Sequence, residues 1–280
     1  SITDNYNSHI SFKVEGFQVE DGQQPDFGSI SVLVDGKEDL NLDAGFYDGI
    51  ITGEDGMPVR AFDGSSALDE NGDMIYYYVQ EDGSMEFDIN MNNYSEKGFF
   101  IGKDIQVELK DLGTVDKAEF TKTLEGTWSF EWTLGGADTA KTYTLNQPLG
   151  DSGATIQTVE ISPISVYAEY NFPIQKETIT GENEDGTTSE STTFKEAPPL
   201  MGIKLKDGTV IKNMYMGGGM IGYQNNSSDD YVYAYATDRI IDPDQIANFL
   251  FVKDISDDVQ GLTEDDYYEV AVGENQQGDR

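Results

Sequence analysis

Residues 127–132 have the sequence Thr-Trp-Ser-Phe-Glu-Trp, in which polar and aromatic side chains alternate with a period of two. Successive side chains of a β-strand point to opposite faces of its sheet, so this period predicts a half-buried strand with its aromatic rings on one face. Residues 10–14, 85–89, 105–109 and 203–205 alternate in the same way. The sequence therefore predicts many half-buried antiparallel strands.

Turn-forming dipeptides separate the predicted strands. Asp-Gly or Asn-Gly pairs, which supply the positive φ angles of tight turns, occur at residues 21–22, 35–36, 71–72, 82–83, 185–186 and 207–208. Short strands at this spacing are typical of sandwiches, whereas a βαβ fold needs amphipathic helices of roughly ten residues or more between its strands. We therefore predict an all-β fold of two Ig-like antiparallel β-sandwich domains in tandem.

The length of the chain supports two domains, because its 280 residues are about twice the usual domain size. Residues 135–138, Gly-Gly-Ala-Asp, provide a flexible polar joint before the alternation resumes at residues 141–145. The predicted domains are an N-terminal Ig-like sandwich at residues 1–135 and a C-terminal Ig-like sandwich at residues 136–280.

Two segments depart from the alternation. Asp242 is a capping residue, Pro243 suits the first helical position and Gln245 follows at capping-box spacing, so one short helical turn is expected before a strand at residues 249–252. Residues 181–193 contain Gly, Glu, Ser and Thr without an apolar residue. They are predicted to be a mobile hairpin tip or excursion.

Charge and cysteine content exclude several classes of function. The chain has 53 acidic and 17 basic residues and a formal net charge of −36, which opposes binding to nucleic acid phosphates and to anionic membrane surfaces. Cysteine is absent, so disulfides, thiolate nucleophiles and cysteine-ligated metals are excluded. No stretch approaches the ~20 apolar residues of a membrane span.

Several segments occur in an order that is distinctive. These are residues 126–134, 141–146 and 154–170, followed by 201–210 and 240–246. In this order they resemble the uncharacterised two-domain ectodomain of membrane-bound anti-sigma-factor-like proteins of Gram-positive bacteria. The resemblance covers the second half of the chain well and the first half thinly. It implies Ig-like sandwiches in the cell envelope, a membrane tether upstream of Ser1 and no catalytic motif.

A calcium loop is one candidate site. Asp69, Asn71 and Asp73 have the i, i+2, i+4 spacing of hard oxygen ligands in such a loop. The EF-hand pattern then requires Gly at its sixth position and Glu at its twelfth, where this chain has Met74 and Gln80. A plain turn before a strand is favoured over a metal site, because Asp, Asn and Gly are turn-forming residues.

Catalytic residues are not predicted. His9 is the only histidine, and it precedes an alternating strand near the N-terminus, so a Ser-His-Asp triad would have to be built on an edge strand. A surface histidine is favoured. Among 53 carboxylates, pairs at glycosidase spacing arise by chance, so their presence does not indicate a hydrolase. No cofactor is predicted.

A tyrosine strand is a second candidate site. Tyr231, Tyr233 and Tyr235 share one face of a predicted strand, and the small aliphatic residues that alternate with them share the other. If the small face is buried, the tyrosines form an exposed recognition surface for sugar rings or a peptide, as could Tyr residues 76–78. Core and cross-strand packing is the alternative for both groups.

From these features we expect a non-catalytic, extracytoplasmic region of a membrane-anchored, anti-sigma-factor-like regulator, with a sensing or interaction role toward a protein or envelope ligand. The alternative is a secreted or cell-surface adhesin or carbohydrate-binding module of the same architecture, which could depend on calcium. A hydrolase is the third possibility.

The turn interpretation of residues 69–73 predicts a small and unselective response to calcium. Millimolar calcium should raise the melting temperature modestly and no more than magnesium does, because either ion relieves the self-repulsion of 36 net negative charges. The substitution Asp73→Asn should leave this response unchanged. A large calcium-selective shift that Asp73→Asn abolishes would instead identify a specific site and favour the calcium-dependent adhesin.

Overall fold

The structure, a computed structural model, describes residues 1–19, 23–38, 41–47, 50–52, 58–60, 78–79, 82–116, 118–136, 139–182, 188–225, 227–254 and 262–272. Apart from two short 3-10 helices, the regular elements of this part of the chain are β-strands. The all-β, sandwich-type prediction is confirmed. Within the described residues, no helix has the length and apolar character needed to cross a membrane.

The chain divides into two compact units, residues 1–139 and 140–280. The predicted boundary lay after residue 135. The strands of the first unit are β1 (Ile2–Thr3), β2 (Asn7–Val14), β3 (Gln24–Val34), β4 (Asn41–Phe46), β5 (Ile50–Thr52), β6 (Pro58–Arg60), β7 (Met85–Asn92), β8 (Asp104–Asp116) and β9 (Glu119–Thr133). They form a four-stranded sheet in the order β1-β2-β7-β4, a three-stranded sheet in the order β3-β8-β9 and the β5-β6 pair.

The core of the first unit lies between its four-stranded and three-stranded sheets. Strand β7 shows the alternation most clearly, because its residues 85, 87, 89 and 91 are buried while the residues between them are half-buried. The ring of Phe27 in β3 lies 4.9 Å from that of Phe87 in β7, in edge-to-face geometry. The same ring lies 5.8 Å from that of Trp128 in β9. Aromatic contacts therefore join the two sheets.

The second unit contains two larger sheets. Its strands are β10 (Lys141–Pro148), β11 (Thr155–Ile161), β12 (Ser165–Asn171), β13 (Lys176–Glu182), β14 (Thr188–Phe194), β15 (Leu200–Leu205), β16 (Val210–Ile211), β17 (Tyr215–Tyr223), β18 (Asp230–Thr237), β19 (Ile246–Val252) and β20 (Tyr267–Ala271). A five-stranded sheet has the order β10-β11-β12-β18-β17, a four-stranded sheet has the order β16-β15-β19-β20, and β13 pairs with β14.

The tyrosine strand is β18, and its tyrosines lie in the core of the second unit. Tyr231, Tyr233 and Tyr235 are only 2%, 6% and 0% exposed, so the exposed recognition surface is wrong for this strand. The reason is that this face of β18 packs on the opposite sheet, where the Tyr233 and Tyr235 hydroxyls reach Met201 and Leu200 of β15. Val232 and Ala234 on the other face are buried as well. Core packing, the alternative, is what the structure shows.

The buried hydroxyls of this core reach the opposite layer. Tyr235 donates a 2.6 Å hydrogen bond to the carbonyl oxygen of Leu200, and Tyr170 donates one of 3.0 Å to that of Pro198. The Tyr233 hydroxyl meets a weaker acceptor, the Met201 thioether, at 3.8 Å. Burial raises the pKa of both Tyr170 and Tyr233, so these hydroxyls stay protonated.

The expected helical turn is present. A 3-10 helix spans Pro243–Gln245, and the side chain of Asp242 caps it by accepting a 2.9 Å bond from the Asp244 amide. The turn leads directly into β19. A second 3-10 helix at Glu264–Asp266 was not predicted, although Thr263 and Asp266 have the capping-box spacing that marks such a start.

The polar stretch at residues 181–193 belongs to the hairpin of β13 and β14. These two strands pair only with each other among the described strands, in register from Lys176 opposite Phe194 to Glu182 opposite Thr188. A hairpin at this position agrees with the sequence prediction. Residues 183–187, where its tip was predicted, lie outside the described residues.

The hydroxyl contacts predict different costs for two similar substitutions. Tyr235→Phe should lower the free energy of unfolding of the second unit by about 1–2 kcal/mol, because the buried Leu200 carbonyl loses its donor. Tyr233→Phe, the matched control, should cost under about 0.5 kcal/mol because a thioether is a weak acceptor. Urea unfolding followed by circular dichroism measures both free energies. Equal losses would show that the hydrogen bond of Tyr235 to the Leu200 carbonyl is no stronger than the contact of Tyr233 with the Met201 thioether.

Candidate functional site

The outer surface of the four-stranded sheet in the first unit is almost entirely polar. Strand β7 buries its apolar residues, whereas those of β2 and β4 range from buried to exposed, and in all three strands the polar side chains alternate with the apolar ones. We call these side chains the polar face; they are Asn7, His9, Ser11, Lys13, Asn41, Asp43, Glu86, Asp88, Asn90 and Asn92. Strand pairing arranges them in rows, so that His9, Asn90 and Asp43 lie side by side.

His9 is at the centre of the polar face. Its Nδ1 lies 2.6 Å from Oδ1 of Asn90, and its Nε2 lies 3.7 Å from Oδ1 of Asp88. The expectation that His9 lies on an edge strand is wrong, because β1 pairs with β2 there and places Ile2 opposite His9. Its side chain is 27% exposed, so the predicted surface histidine is in fact partly buried against two neighbours.

Asp88 carries an unfavourable charge. Burial is the main reason that its pKa is raised, and the nearby Glu86 carboxylate raises it further, while His9 and Ser11 act in the opposite direction. Its side chain is 15% exposed, and among the described residues its Oδ1 has no hydrogen-bond partner. An acceptor held in this state costs stability unless a ligand supplies a donor.

The surroundings of Asp88 leave room for such a ligand. Gly45 of β4 lies opposite Asp88, and a Cβ atom built on Gly45 would meet nothing within 4 Å. Two rows further along the sheet, the Nδ2 of Asn7 is buried without a partner in the described part of the chain. Asn41 Nδ2 donates a 2.7 Å bond to Asn92 Oδ1 in that same row. Among the described residues, the polar face therefore contains one buried acceptor, Asp88 Oδ1, and one buried donor, Asn7 Nδ2, that have no hydrogen-bond partner.

The arrangement suits hydrogen bonding to a ligand more than nucleophilic catalysis. The Ser11 hydroxyl donates to the Glu86 carboxylate, so it is not bonded to His9 as a nucleophile to its base. Among the residues that the structure describes, no three His, Asp or Glu side chains are grouped to hold a metal ion. Rows of amides and carboxylates about 4.8 Å apart across the strands match the hydroxyl groups of a carbohydrate.

Most of the other candidates from the sequence fall outside the residues that the structure describes. Asp69, Asn71 and Asp73 lie outside the described residues, as do Tyr76 and Tyr77, so the turn interpretation stays a prediction. The polar face itself was missed. Its signal is the polar half of the alternation in residues 9–13 and 86–92, because the same period that marks a core face also marks an outer one.

The raised pKa of Asp88 predicts that its neutral isostere stabilises the first unit. Asp88→Asn should raise the free energy of unfolding by about 0.5–1 kcal/mol at neutral pH, since it removes a poorly solvated charge beside Glu86. The unfolded carboxyl ionises at lower pH than the folded one, so the gain should vanish below about pH 3.8.

Urea unfolding followed by tryptophan fluorescence measures this gain, because Trp128 and Trp132, the two tryptophans of the chain, are both in the first unit. Asp43→Asn is the control, since Asp43 is exposed on the same face. A loss of stability in Asp88→Asn would show that the Asp88 charge supports the fold.

Comparisons with known proteins identify no family. No protein-family model and no curated protein matches the chain. One solved structure is similar, the crystal structure of the conserved domain protein from Bacillus anthracis, at 13% sequence identity and a TM-score of 0.38. The similarity covers 91% of this chain and 73% of that protein.

Proposed function

We propose that the chain is a non-catalytic, extracytoplasmic interaction region of a membrane-anchored regulatory protein, comparable in role to the ectodomains of anti-sigma-factor-like proteins. The positions of the resembling segments support this proposal. Residues 126–134 cover the end of β9, residues 141–146 fall in β10, and residues 154–170 contain β11 and most of β12. Residues 240–246 contain the capped 3-10 turn that precedes β19. Each segment is thus a structural element in the order of the resemblance.

The interaction role is inferred from the burial and the surroundings of the Asp88 carboxylate. The first unit keeps this carboxylate mostly buried, beside another carboxylate and opposite a glycine, at a cost in stability. Perturbed groups of this kind concentrate at functional sites. We assign the ligand of the polar face to the cell envelope, with hydroxyl or amide groups that donate to Asp88 and Asn90.

A carbohydrate-binding module of a cell-surface adhesin is the second candidate. The composition of the polar face favours it, because amides and carboxylates supply the paired donors and acceptors that sugar hydroxyls require. The two candidates share the polar face and differ in what they bind. A regulator that recognises the amide groups of an envelope peptide would not be displaced by soluble sugars, whereas a carbohydrate-binding module would be.

The test is cosedimentation of the chain with purified peptidoglycan. Wild-type protein should sediment, and Asn90→Ala should reduce the bound fraction by roughly tenfold, because two or more hydrogen bonds to the ligand are lost. The control Thr144→Ala, an exposed position of β10 in the second unit, should behave as wild type. Competition by soluble muropeptide sugars would favour the carbohydrate-binding module.

Two results would overturn the assignment. Wild-type protein that stays in the supernatant would show that peptidoglycan is not the ligand. Sedimentation that is the same in wild type and Asn90→Ala would place the binding surface elsewhere than the polar face.

A further inference from the structure

Strand β9 forms one edge of the three-stranded sheet in the first unit. Among the described strands it pairs with β8 alone, and at 15 residues it is the longest of them. The ladder is regular from Lys110 opposite Thr127 to Asp104 opposite Thr133. Residues 127–133, which we call the β9 edge, contain one charged residue, Glu131, and no Gly, Pro or Lys. Natural edge strands are usually kept from pairing with another chain by charged residues, Pro or bulges, and the β9 edge has few of these features.

The hydrogen-bond pattern shows which backbone groups of the β9 edge are free. The Leu134 amide donates to the Lys103 carbonyl at 2.8 Å, and in an antiparallel ladder every second pair exchanges hydrogen bonds. Trp132, Phe130 and Trp128 therefore bond to β8. The N–H and C=O groups of Glu131 and Ser129 point away from β8, toward the open side of the sheet.

The inner face of the β9 edge is only partly covered. Phe130 is 40% exposed, although its ring lies 4.6 Å from that of Phe12 in the opposite sheet. Trp132 also contacts Phe12, at 6.2 Å, and is half-buried. Strand β1 pairs only with Ser8 and His9 of β2, so in the described structure the β2 segment that holds Phe12 has no partner on that side. Among the residues that the structure describes, none therefore pairs with the sandwich along this side.

The charge around the β9 edge is negative. Lys110 is paired with Glu108 at 2.6 Å, whereas Glu131 accepts a 3.3 Å bond from the uncharged Gln106. Glu108, Ser129 and Glu131 line a shallow depression of about 440 Å³ on the outer face of the sheet. Long basic side chains would fit this depression, where they could form charge-assisted hydrogen bonds with a carboxylate.

From these observations we propose that the β9 edge is a strand-addition site for an extended basic segment of a partner protein. The segment's backbone bonds to Ser129 and Glu131, as in other complexes that add a strand to a sheet edge. Its apolar side chains cover Phe130 and Trp132, and its Lys or Arg side chains, on the other face, reach Glu131. The net charge of −36 favours such a partner over a second copy of this chain. The site is independent of the polar face, which lies on the other sheet.

The experiment uses the full chain and a short synthetic peptide in which lysine and valine alternate. Both tryptophans of the chain, Trp128 and Trp132, lie in the β9 edge, so binding should shift their fluorescence emission to shorter wavelength. Ser129→Pro removes an N–H that β8 does not use, and it should weaken binding by roughly tenfold or more. Ser129→Ala keeps this N–H and should bind as wild type.

A second peptide keeps the test decisive if Ser129→Pro does not fold. It has the same sequence with N-methyl groups on alternate backbone nitrogens, so its charge is unchanged while its edge donors are lost. Wild type should bind the N-methylated peptide roughly tenfold more weakly. Equal binding of the two peptides would show attraction by charge alone and overturn the proposal. Sedimentation of the chain as a dimer that Ser129→Pro dissociates would also overturn it, by identifying a second copy as the occupant.

Discussion

The second unit depends on one interaction, the hydrogen bonds that two buried tyrosine hydroxyls donate to carbonyl oxygens across its core. Tyr170 and Tyr235 lie in neighbouring strands of the five-stranded sheet, and both reach across the core to the chain around Leu200 at the start of β15. Pure hydrocarbon side chains would allow the two layers to slide. Because the two hydroxyls require carbonyls at fixed positions, they set both the separation of the layers and the placement of β15.

The layers of the first unit are held together in a different way. Its core is made of aliphatic and phenylalanine side chains, so its layers are held by shape rather than by polar contacts. Two polar side-chain atoms of this unit, Asp88 Oδ1 and Asn7 Nδ2, are buried without a hydrogen-bond partner among the described residues. The Tyr231 hydroxyl of the second unit is in the same state. We place ligand binding in the first unit because Asp88 is a charged group that also lies beside Glu86 and opposite Gly45.

The alternation in the sequence was sufficient to predict strands such as β7, and the residue types at Asp242 and Pro243 were sufficient to predict the 3-10 turn. The position of a strand within its sheet was not predictable. Tyr233 was judged from β18 alone, whereas its burial depends on the sheet that contains β15 and packs on this face of β18. The contacts of His9 were also beyond the sequence, because Asp88 and Asn90 are brought beside it only by the pairing of β2 with β7.

The pairing of β2 with β7 has a consequence for the time course of folding. Asn7 is opposite Asn92, and in the other sheet Gln24 is opposite Val115, so each early strand must wait for a partner that is synthesised much later. Sheets with such distant pairings fold slowly, since the loop between the partners must close first. During synthesis on the ribosome the apolar side of β2 stays uncovered until β7 emerges, and the nascent chain is a substrate for chaperones throughout that interval.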